Sequence, residues 1–464
     1  MKALLAAVFA ALVLAPAGNA AYTKTDQFVT MDDGVGIATT LYLPDTPGPR
    51  PAVMLFHGIG GNRQSIDAVA SRFADHGYIA LTSDFRGHGQ SGGFFTALGP
   101  RELLDVARLR ESWLPTHAPV DGDKVGAWGI SLGGGAVFNS LVGGVPWAAV
   151  VTVETWTDLY SALMPQGLVK SGVVLTFSRS IPDERRDPAL DVVQAAAFAG
   201  NPAPVRQWTD PRSSISKLGS ITTPVFMAQG RRDFAFGIDQ ATQAFARLRG
   251  PKVLYVGLHG HAPSTFPAAD TGFLMSKVRG WYDCYLRSTG CEANETSVYV
   301  ASEKFIGQVA RRGATLPPVS PTTVSFPGVT TFAHTGKAVR TSAPLRTALE
   351  TFGAPTVQTS VAASGGWSRL VAVLMARTPQ GKEIVIAAGG VPTKPGAQTV
   401  TIRLGSQATF VPKGSRLTLT LASSSTAQSP ANLLYLDLPM AQSARARVGT
   451  AILKLPRLRT PVTR

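Results

Sequence analysis

Short apolar runs alternate with amphipathic stretches over residues 22–292. The apolar runs are brief and rich in β-branched residues, as expected of strands buried on both faces. Helix-like stretches such as Gln64–His76 and Arg101–Trp113 lie between them. This order predicts a mostly parallel sheet covered by helices on both sides. The predicted strands are Val35–Tyr42, Ala52–Phe56, Tyr78–Ser83, Val125–Trp128, Ala148–Val153, Val225–Ala228 and Val253–Val256.

The alternation is lost over about residues 155–220, where prolines interrupt helix-like segments. An insertion at this point predicts a helical cap over the carboxyl ends of the strands, where ligands bind in open α/β sheets. Four aromatic residues of the segment could line a pocket or belong to the core, and the sequence leaves both open: Trp156, Tyr160, Phe177 and Trp208.

The pattern changes again after Cys291. A proline-containing linker is predicted over residues 293–321, and short strand-like runs separated by turn residues follow over residues 322–464. These runs predict an all-β sandwich or jelly-roll-like domain. Its clearest strands are Leu370–Ala376, Glu383–Ala388, Thr399–Leu404 and Arg416–Leu421.

Charge is distributed unevenly between the two regions. Residues 293–464 hold 19 basic and 5 acidic side chains, so they carry +14 of the chain's net charge of +15. Such an excess favours binding to a polyanion, and the partner we expect is an anionic cell-envelope polymer. A basic face that only confers solubility explains the charge equally well. A specific nucleic-acid partner is not expected.

The N-terminus predicts export. Lys2 precedes an apolar run, Ala3–Leu14, and small residues near Ala20 suit cleavage, so residues 1–20 are interpreted as a signal peptide. No later segment predicts a transmembrane helix. Because an exported chain meets an oxidising compartment, Cys284 and Cys291 are expected to form a local disulfide. Neither a metal nor another cofactor is expected, since no ligand spacing suggests one.

The strongest motif is Gly129-Ile130-Ser131-Leu132-Gly133, where an apolar strand ends and a helix begins. Such a turn presents a serine hydroxyl as a nucleophile, so Ser131 is the predicted catalytic nucleophile. A glycine-rich turn, His57-Gly58-Ile59-Gly60-Gly61, follows an earlier strand. The backbone N–H groups of Ile59 and Leu132 are the expected oxyanion donors.

A serine nucleophile needs a histidine base and an acid that follow it in the chain. Of the seven histidines, only His259 and His261 follow Ser131 within the first region. His261 is favoured because Gly260-His261-Ala262-Pro263 resembles the loop around the catalytic histidine of related enzymes. Asp233 follows the strand Val225–Ala228 and is the leading acid, unless it only pairs with a neighbouring arginine. Glu154, at the end of the preceding strand, is the alternative acid, and Asp239 is a weaker third candidate.

Taken together, these motifs and Asp84-Phe85-Arg86-Gly87-His88-Gly89 make the first region resemble an α/β-hydrolase. In that fold the Asp84 loop would brace the active-site floor. The whole chain is similar to the X-prolyl dipeptidyl peptidase and cocaine-esterase-like family, in which a jelly-roll domain follows the catalytic domain. In the second region, the resemblance rests on sequence segments such as Glu350–Pro355. That family usually has tyrosines at the two oxyanion positions, where this chain has Leu132 and His57-Gly58-Ile59.

The resemblance and the motifs imply a secreted serine hydrolase that cleaves an ester or amide of a small-molecule or peptide substrate. It would act through an acyl-enzyme on Ser131. Two alternatives stand beside this prediction. One is an X-prolyl dipeptidyl-peptidase-type activity, and the other is a non-catalytic envelope-binding protein tethered by its basic β domain.

Overall fold

The computed structural model describes residues 21–291 and 296–459. The predicted signal peptide therefore lies outside the described residues. Within the described ranges, no helix has both the length and the hydrophobicity that crossing a bilayer requires.

A ten-stranded sheet occupies the first region, in the order β1-β2-β4-β3-β5-β6-β7-β8-β9-β10. Strands β3 to β9 pair in parallel, and β1, β2 and β10 complete the edges with antiparallel pairing. The bounds are β1 (Tyr22–Thr30), β2 (Gly36–Pro44), β3 (Arg50–Phe56), β4 (Ile79–Ser83), β5 (Val120–Ile130), β6 (Ala149–Val153), β7 (Val225–Gly230), β8 (Lys252–Gly257), β9 (Ser297–Ala301) and β10 (Val309–Gly313).

Helices cover both faces of this sheet. Side chains of successive strand residues point to opposite faces, so Met54 joins one apolar cluster whereas Val53 and Leu55 join another. Burial on both faces explains why the central strands read as continuous apolar runs. The helices are α1 (Asp67–Asp75), α2 (Pro100–Arg108), α3 (Leu114–His117), α4 (Leu132–Val142), α9 (Ile238–Arg247) and α10 (Ala268–Arg287).

Four further helices form the cap between β6 and β7: α5 (Leu159–Leu163), α6 (Ser171–Arg179), α7 (Ala189–Phe198) and α8 (Pro202–Thr209). Local chemistry sets their starts. Asp158 caps α5 by accepting a hydrogen bond from the Ser161 N–H at 3.0 Å, and Asn201 caps α8 ahead of Pro202. The cap is helical and broken by prolines, as the sequence predicts.

The second region consists of antiparallel strands. A five-stranded sheet contains β11, β21, β15 and β18 with β12 paired to β21, a four-stranded sheet has the order β13-β20-β16-β17, and β14 pairs with β19. Both larger sheets contribute to one apolar cluster, which makes this region a β domain. The bounds are β11 (Val319–Phe326), β12 (Thr330–Ala333), β13 (Lys337–Pro344), β14 (Leu349–Glu350), β15 (Thr356–Ser364), β16 (Arg369–Arg377), β17 (Glu383–Pro392), β18 (Gly396–Arg403), β19 (Phe410–Val411), β20 (Arg416–Ala422) and β21 (Arg445–Leu458).

The fold class is therefore the predicted one, an α/β-hydrolase sheet followed by a β domain. The region predicted as a linker, residues 293–321, differs from the prediction because it contains β9, β10 and the start of β11. Val298 and Val300 of β9 are buried, so this strand covers the edge that β8 would otherwise expose. Cys284 and Cys291 form the expected disulfide.

Candidate active site

Ser131 lies in the turn between β5 and α4 with a φ of 54°, in the left-handed region that side chains rarely adopt. The flanking glycines allow this turn. A Cβ at Gly129 would lie 2.2 Å from the Gly133 carbonyl oxygen, and one at Gly133 would lie 2.1 Å from the Phe56 carbonyl oxygen. The Gly-x-Ser-x-Gly pattern is thus a steric requirement of the turn that lifts Ser131 above the sheet.

The structure brings the three leading candidates together. His261 Nε2 lies 2.9 Å from Ser131 Oγ, and His261 Nδ1 lies 2.7 Å from Asp233 Oδ2. Because an ionised carboxylate can only accept, Nδ1 carries the proton and donates to Asp233. Nε2 is then free to accept the proton of the Ser131 hydroxyl.

Asp233 is fully buried, which by itself disfavours its charge. Burial is opposed by His261 and by backbone N–H donors, and their combined effect lowers the pKa of Asp233. The N–H groups of Ala235 and Phe236 donate to Oδ1 at 2.9 and 3.0 Å. Asp233 therefore remains a carboxylate that orients His261. Its partner is the histidine, not a neighbouring arginine.

The alternative base, His259, does not reach Ser131. It is buried beneath the site, where its Nδ1 lies 3.1 Å from Asp270 Oδ2 and its ring stacks on Tyr255 and Phe266. Asp270 comes from α10, and no sequence motif indicated this partner.

The alternative acid, Glu154, lies near the relay without a hydrogen bond to it. Its Oε2 is 3.9 Å from His261 Nδ1, and its Oε1 is 3.9 Å from His259 Nε2. Burial, together with the like charges of Asp233 and Asp270, raises the pKa of Glu154 well above its ordinary value. These effects favour the neutral acid form of Glu154 beside the relay. Asp239, the third candidate, pairs instead with Arg403 at 3.0 Å.

Both expected oxyanion donors, Ile59 and Leu132, line the same cavity as Ser131. His57 holds the Ile59 turn in place from below. Its Nε2 accepts a hydrogen bond from the Phe85 N–H at 3.1 Å, so its Nδ1 carries the proton and donates to the Gly58 carbonyl at 2.7 Å. Burial lowers the pKa of His57 to about 4, which favours this neutral form.

The loop that begins at Asp84 braces the floor of the site through hydrogen bonds to Arg63 and Gln90. Asp84 Oδ1 accepts the Arg63 N–H, and its Oδ2 accepts both the Arg63 guanidinium, at 2.6 Å, and the Gln90 N–H, at 2.8 Å. Asp84 is fully buried and Arg63 nearly so. This internal pairing accounts for the Asp84 side chain without a metal.

The β domain also contacts the acid loop, a contact that the sequence did not reveal. Arg231 is buried and forms an ion pair with the buried Glu350 of β14. Its guanidinium also donates to the carbonyls of Ala301 and Ala408, at 2.8 and 3.2 Å. Gln407 Nε2 donates to the Asp233 carbonyl at 2.8 Å. The β domain therefore holds the loop that carries Asp233.

One group of ligand-type side chains lies at the site among the described residues. Atoms of Glu154, Asp233 and His261 lie within 4.8 Å of one another. A cation here would have to compete with the hydrogen bond between Asp233 and His261. The group is therefore accounted for by the relay.

A serine on a strand–helix turn, joined through a histidine to a buried carboxylate above a mostly parallel sheet, defines the class of α/β-hydrolases with a serine nucleophile. Residues 33–263 match the family described as X-Pro dipeptidyl-peptidase (S15 family). Over this span the chain is similar to that family, and the geometry of Ser131, His261 and Asp233 is that of a serine hydrolase.

Known proteins resemble this chain over different lengths. The quorum-quenching protein AidA of Acinetobacter baumannii is 35% identical over 27% of this chain and 41% of its own. The cocaine esterase of Rhodococcus is 27% identical over 53% of this chain and 50% of its own. The chain thus spans half or less of the length of these curated relatives. A CocE/NonD family hydrolase from Staphylococcus aureus has the same fold, with a TM-score of 0.73, 13% identity and 94% of each chain covered.

Proposed function

We propose that the protein cleaves carboxylic esters, or the related amides, through an acyl-enzyme on Ser131. One observation carries this proposal: His261 lies between Ser131 Oγ and Asp233 at hydrogen-bond distance from both. His261 would take the hydroxyl proton as Ser131 Oγ bonds to the substrate carbonyl carbon. The N–H groups of Ile59 and Leu132 would stabilise the resulting oxyanion.

Collapse of the tetrahedral intermediate breaks the bond to the leaving alcohol or amine, which receives the proton from His261 Nε2. A water molecule, deprotonated by His261, then attacks the acyl-enzyme carbonyl carbon. The second collapse releases the carboxylic acid and returns the proton to Ser131 Oγ. Asp233 stays ionised throughout and stabilises the imidazolium that forms twice per turnover.

Labelling with a fluorophosphonate probe tests the nucleophile, and p-nitrophenyl esters test turnover. Wild-type protein should label and hydrolyse, whereas Ser131→Ala should do neither. Ser220→Ala, a surface variant at the far end of the cap, is the matched control and should behave as wild type. Labelling of Ser131→Ala at the wild-type rate would refute the assignment.

An X-prolyl peptidase activity is the second candidate, because the matching family carries that description. It predicts cleavage of Ala-Pro p-nitroanilide by the same Ser131-dependent route. Comparing kcat/KM for this anilide and for a p-nitrophenyl ester on one preparation separates the two candidates.

Export of the protein is also a proposal. The N-terminal pattern supports it, and so does the disulfide between Cys284 and Cys291, since such bonds persist in oxidising compartments. Mass spectrometry of the protein recovered outside the cytoplasm should give a mature N-terminus near Ala21. A chain that retains Met1 in the cytoplasm would contradict the proposal.

A further inference from the structure

A cavity opens beside Ser131 between the sheet and the cap. Its empty volume is about 940 Å³, part of it open to solvent. Ile59, Leu132, Trp156 and Phe236 form its wall on the sheet side. All four cap helices supply the opposite wall, mostly with aliphatic and aromatic side chains.

Two hydroxyl side chains in the cap wall are turned to internal partners, whereas the polar side chain of Gln194 also lines the cavity. Thr209 Oγ1 donates to the Val205 carbonyl at 2.8 Å, and Ser178 Oγ donates to the Leu175 carbonyl at 3.2 Å. Apart from Ser131, Gln194 and the ion pair of Arg186 with Asp191, the wall therefore presents a mostly apolar surface. Such a surface gains free energy by burying hydrocarbon and offers little to a polar group.

Charge in the wall is also neutralised. Among the described residues that line the cavity, Asp191 carries the one carboxylate, and Arg186 pairs with it at 2.9 Å. The two carboxyl groups behind Ser131, those of Asp233 and Glu154, are also not positioned to pair with a cationic substrate. Asp233 is engaged with His261, and Glu154 is buried beside them. A substrate ammonium group in this cavity would lose its water without gaining a counter-ion.

We propose that this cavity binds the acyl chain of uncharged aliphatic esters, an inference that rests on the acyl-enzyme function proposed above. The carbonyl carbon lies at Ser131, and the hydrocarbon chain extends between the sheet wall and the cap helices. Each methylene that becomes fully buried should raise kcat/KM about fourfold, equivalent to about 0.8 kcal/mol. A free amino terminus, which an X-prolyl dipeptidyl peptidase must accept, is disfavoured.

A chain-length series tests the proposal. We expect kcat/KM to rise from p-nitrophenyl acetate through butyrate and hexanoate to octanoate. The ω-ammonio-hexanoate ester should react at least tenfold more slowly than the hexanoate ester. Val193 and Val192 offer a matched pair of substitutions on α7, because Val193 lines the cavity whereas Val192 is 68% exposed outside it.

Val193→Trp fills part of the cavity and should lower the octanoate-to-acetate ratio of kcat/KM at least tenfold. Val192→Trp adds the same ring outside and should keep the wild-type ratio. A flat, Ser131-dependent chain-length profile would overturn the acyl-chain proposal and leave the hydrolase assignment intact. Preference for Ala-Pro p-nitroanilide over the octanoate ester would overturn it in favour of the peptidase.

If no ester is hydrolysed, the proposed function fails. A binding measurement would still test whether the cavity accepts an acyl chain. Trp156 and Trp208 line the cavity, so their fluorescence should change when octanamide binds to Ser131→Ala. Saturable binding that Val193→Trp weakens and Val192→Trp preserves would support the apolar site on its own. Absence of binding to Ser131→Ala would count against it.

Discussion

Gln407 of the β domain donates a hydrogen bond from Nε2 to the backbone carbonyl of Asp233, 174 residues earlier in the chain. The acid of the relay is therefore held partly from outside the α/β sheet. Two backbone bonds support the same loop, from the Ala408 N–H to the Arg231 carbonyl and from the Ile238 N–H to the Ser406 carbonyl, at 2.8 and 3.0 Å.

Gln407→Ala should lower kcat roughly tenfold to a hundredfold while changing KM little, because it leaves the Asp233 carbonyl unpaired and frees the acid loop. Steady-state kinetics on a p-nitrophenyl ester measures both constants. The exposed Gln358→Ala in β15 is the control and should match wild type. A Gln407→Ala enzyme with unchanged kcat would show that the loop needs no support from this side chain.

The two carboxyl groups beside His261 should respond differently to amide substitution. Asp233→Asn replaces an acceptor by a group that can force the wrong His261 tautomer, and kcat should fall by about four orders of magnitude. Glu154→Gln replaces a neutral acid by a neutral amide, so kcat should stay within about tenfold of wild type. Equal losses in the two variants would instead assign Glu154 a share of the relay.

Glu154 should also make the fold less stable at high pH. Its folded-state pKa lies above its ordinary value, so the folded protein retains a proton that the unfolded chain has lost. Stability must therefore decrease as pH rises above 4.5 towards the raised pKa. Denaturant unfolding at several pH values should show this decrease in wild type and a smaller one in Glu154→Gln. Parallel curves would contradict it.

His57 should have the opposite effect, destabilising the fold in acid. Its pKa falls from 6.5 to about 4 on burial, so between these values the unfolded chain binds a proton that the folded protein excludes. The stabilisation is complete above pH 6.5 and is lost towards pH 4, by up to about 3 kcal/mol. His57→Gln should lose less stability over this interval, as measured by urea unfolding. His117→Gln, an exposed histidine in α3, is the control.

The buried pair of Arg231 and Glu350 should be sensitive to the loss of one partner. Glu350→Leu removes one of the two carboxylates that pair with the buried Arg231, since Glu303 Oε1 also lies 3.3 Å from Arg231 Nε. It should lower the free energy of unfolding by less than the 3–5 kcal/mol that is about the cost of a buried charge left without a partner. Arg231→Met combined with Glu350→Leu should cost less than Glu350→Leu alone, because the charge that then remains is on the partly exposed Glu303, which water can reach. Urea unfolding followed by tryptophan fluorescence measures both, and a double variant less stable than Glu350→Leu would argue against charge burial as the cause.

The sequence predicted the parts of the site that depend on local geometry. Gly129 and Gly133 mark Ser131 because a side chain at either position would collide with backbone. Asp233 and His261 follow consecutive strands, β7 and β8, whose carboxyl ends meet at one edge of the sheet. Local patterns of this kind survive in the sequence because each involves residues close together in the chain.

Features that depend on distant contacts could not be predicted. His259 and His261 share one loop, and what separates their roles is Asp270, which α10 brings to His259. The first region was expected to end at residue 292, but strand β9 follows this position and extends the same sheet beside β8. Of the aromatic residues left open, Trp156, Phe177 and Trp208 line the cavity, whereas Tyr160 is buried with the Arg206 guanidinium 3.7 Å from its ring centre.

The β domain also contacts the cap, through the Leu436 N–H bonded to Ser171 Oγ at 2.8 Å and the Gly172 N–H bonded to the Leu434 carbonyl. It therefore touches both the acid loop and the helix that forms one wall of the cavity. Under the proposed function, ester turnover would consequently report the integrity of both regions. A preparation that is cleaved or misfolded only in about its last 140 residues would retain Ser131 and its sheet, yet its catalytic activity would be lower. Specific activity would therefore also measure the folding of the β domain, which supplies none of the proposed catalytic groups.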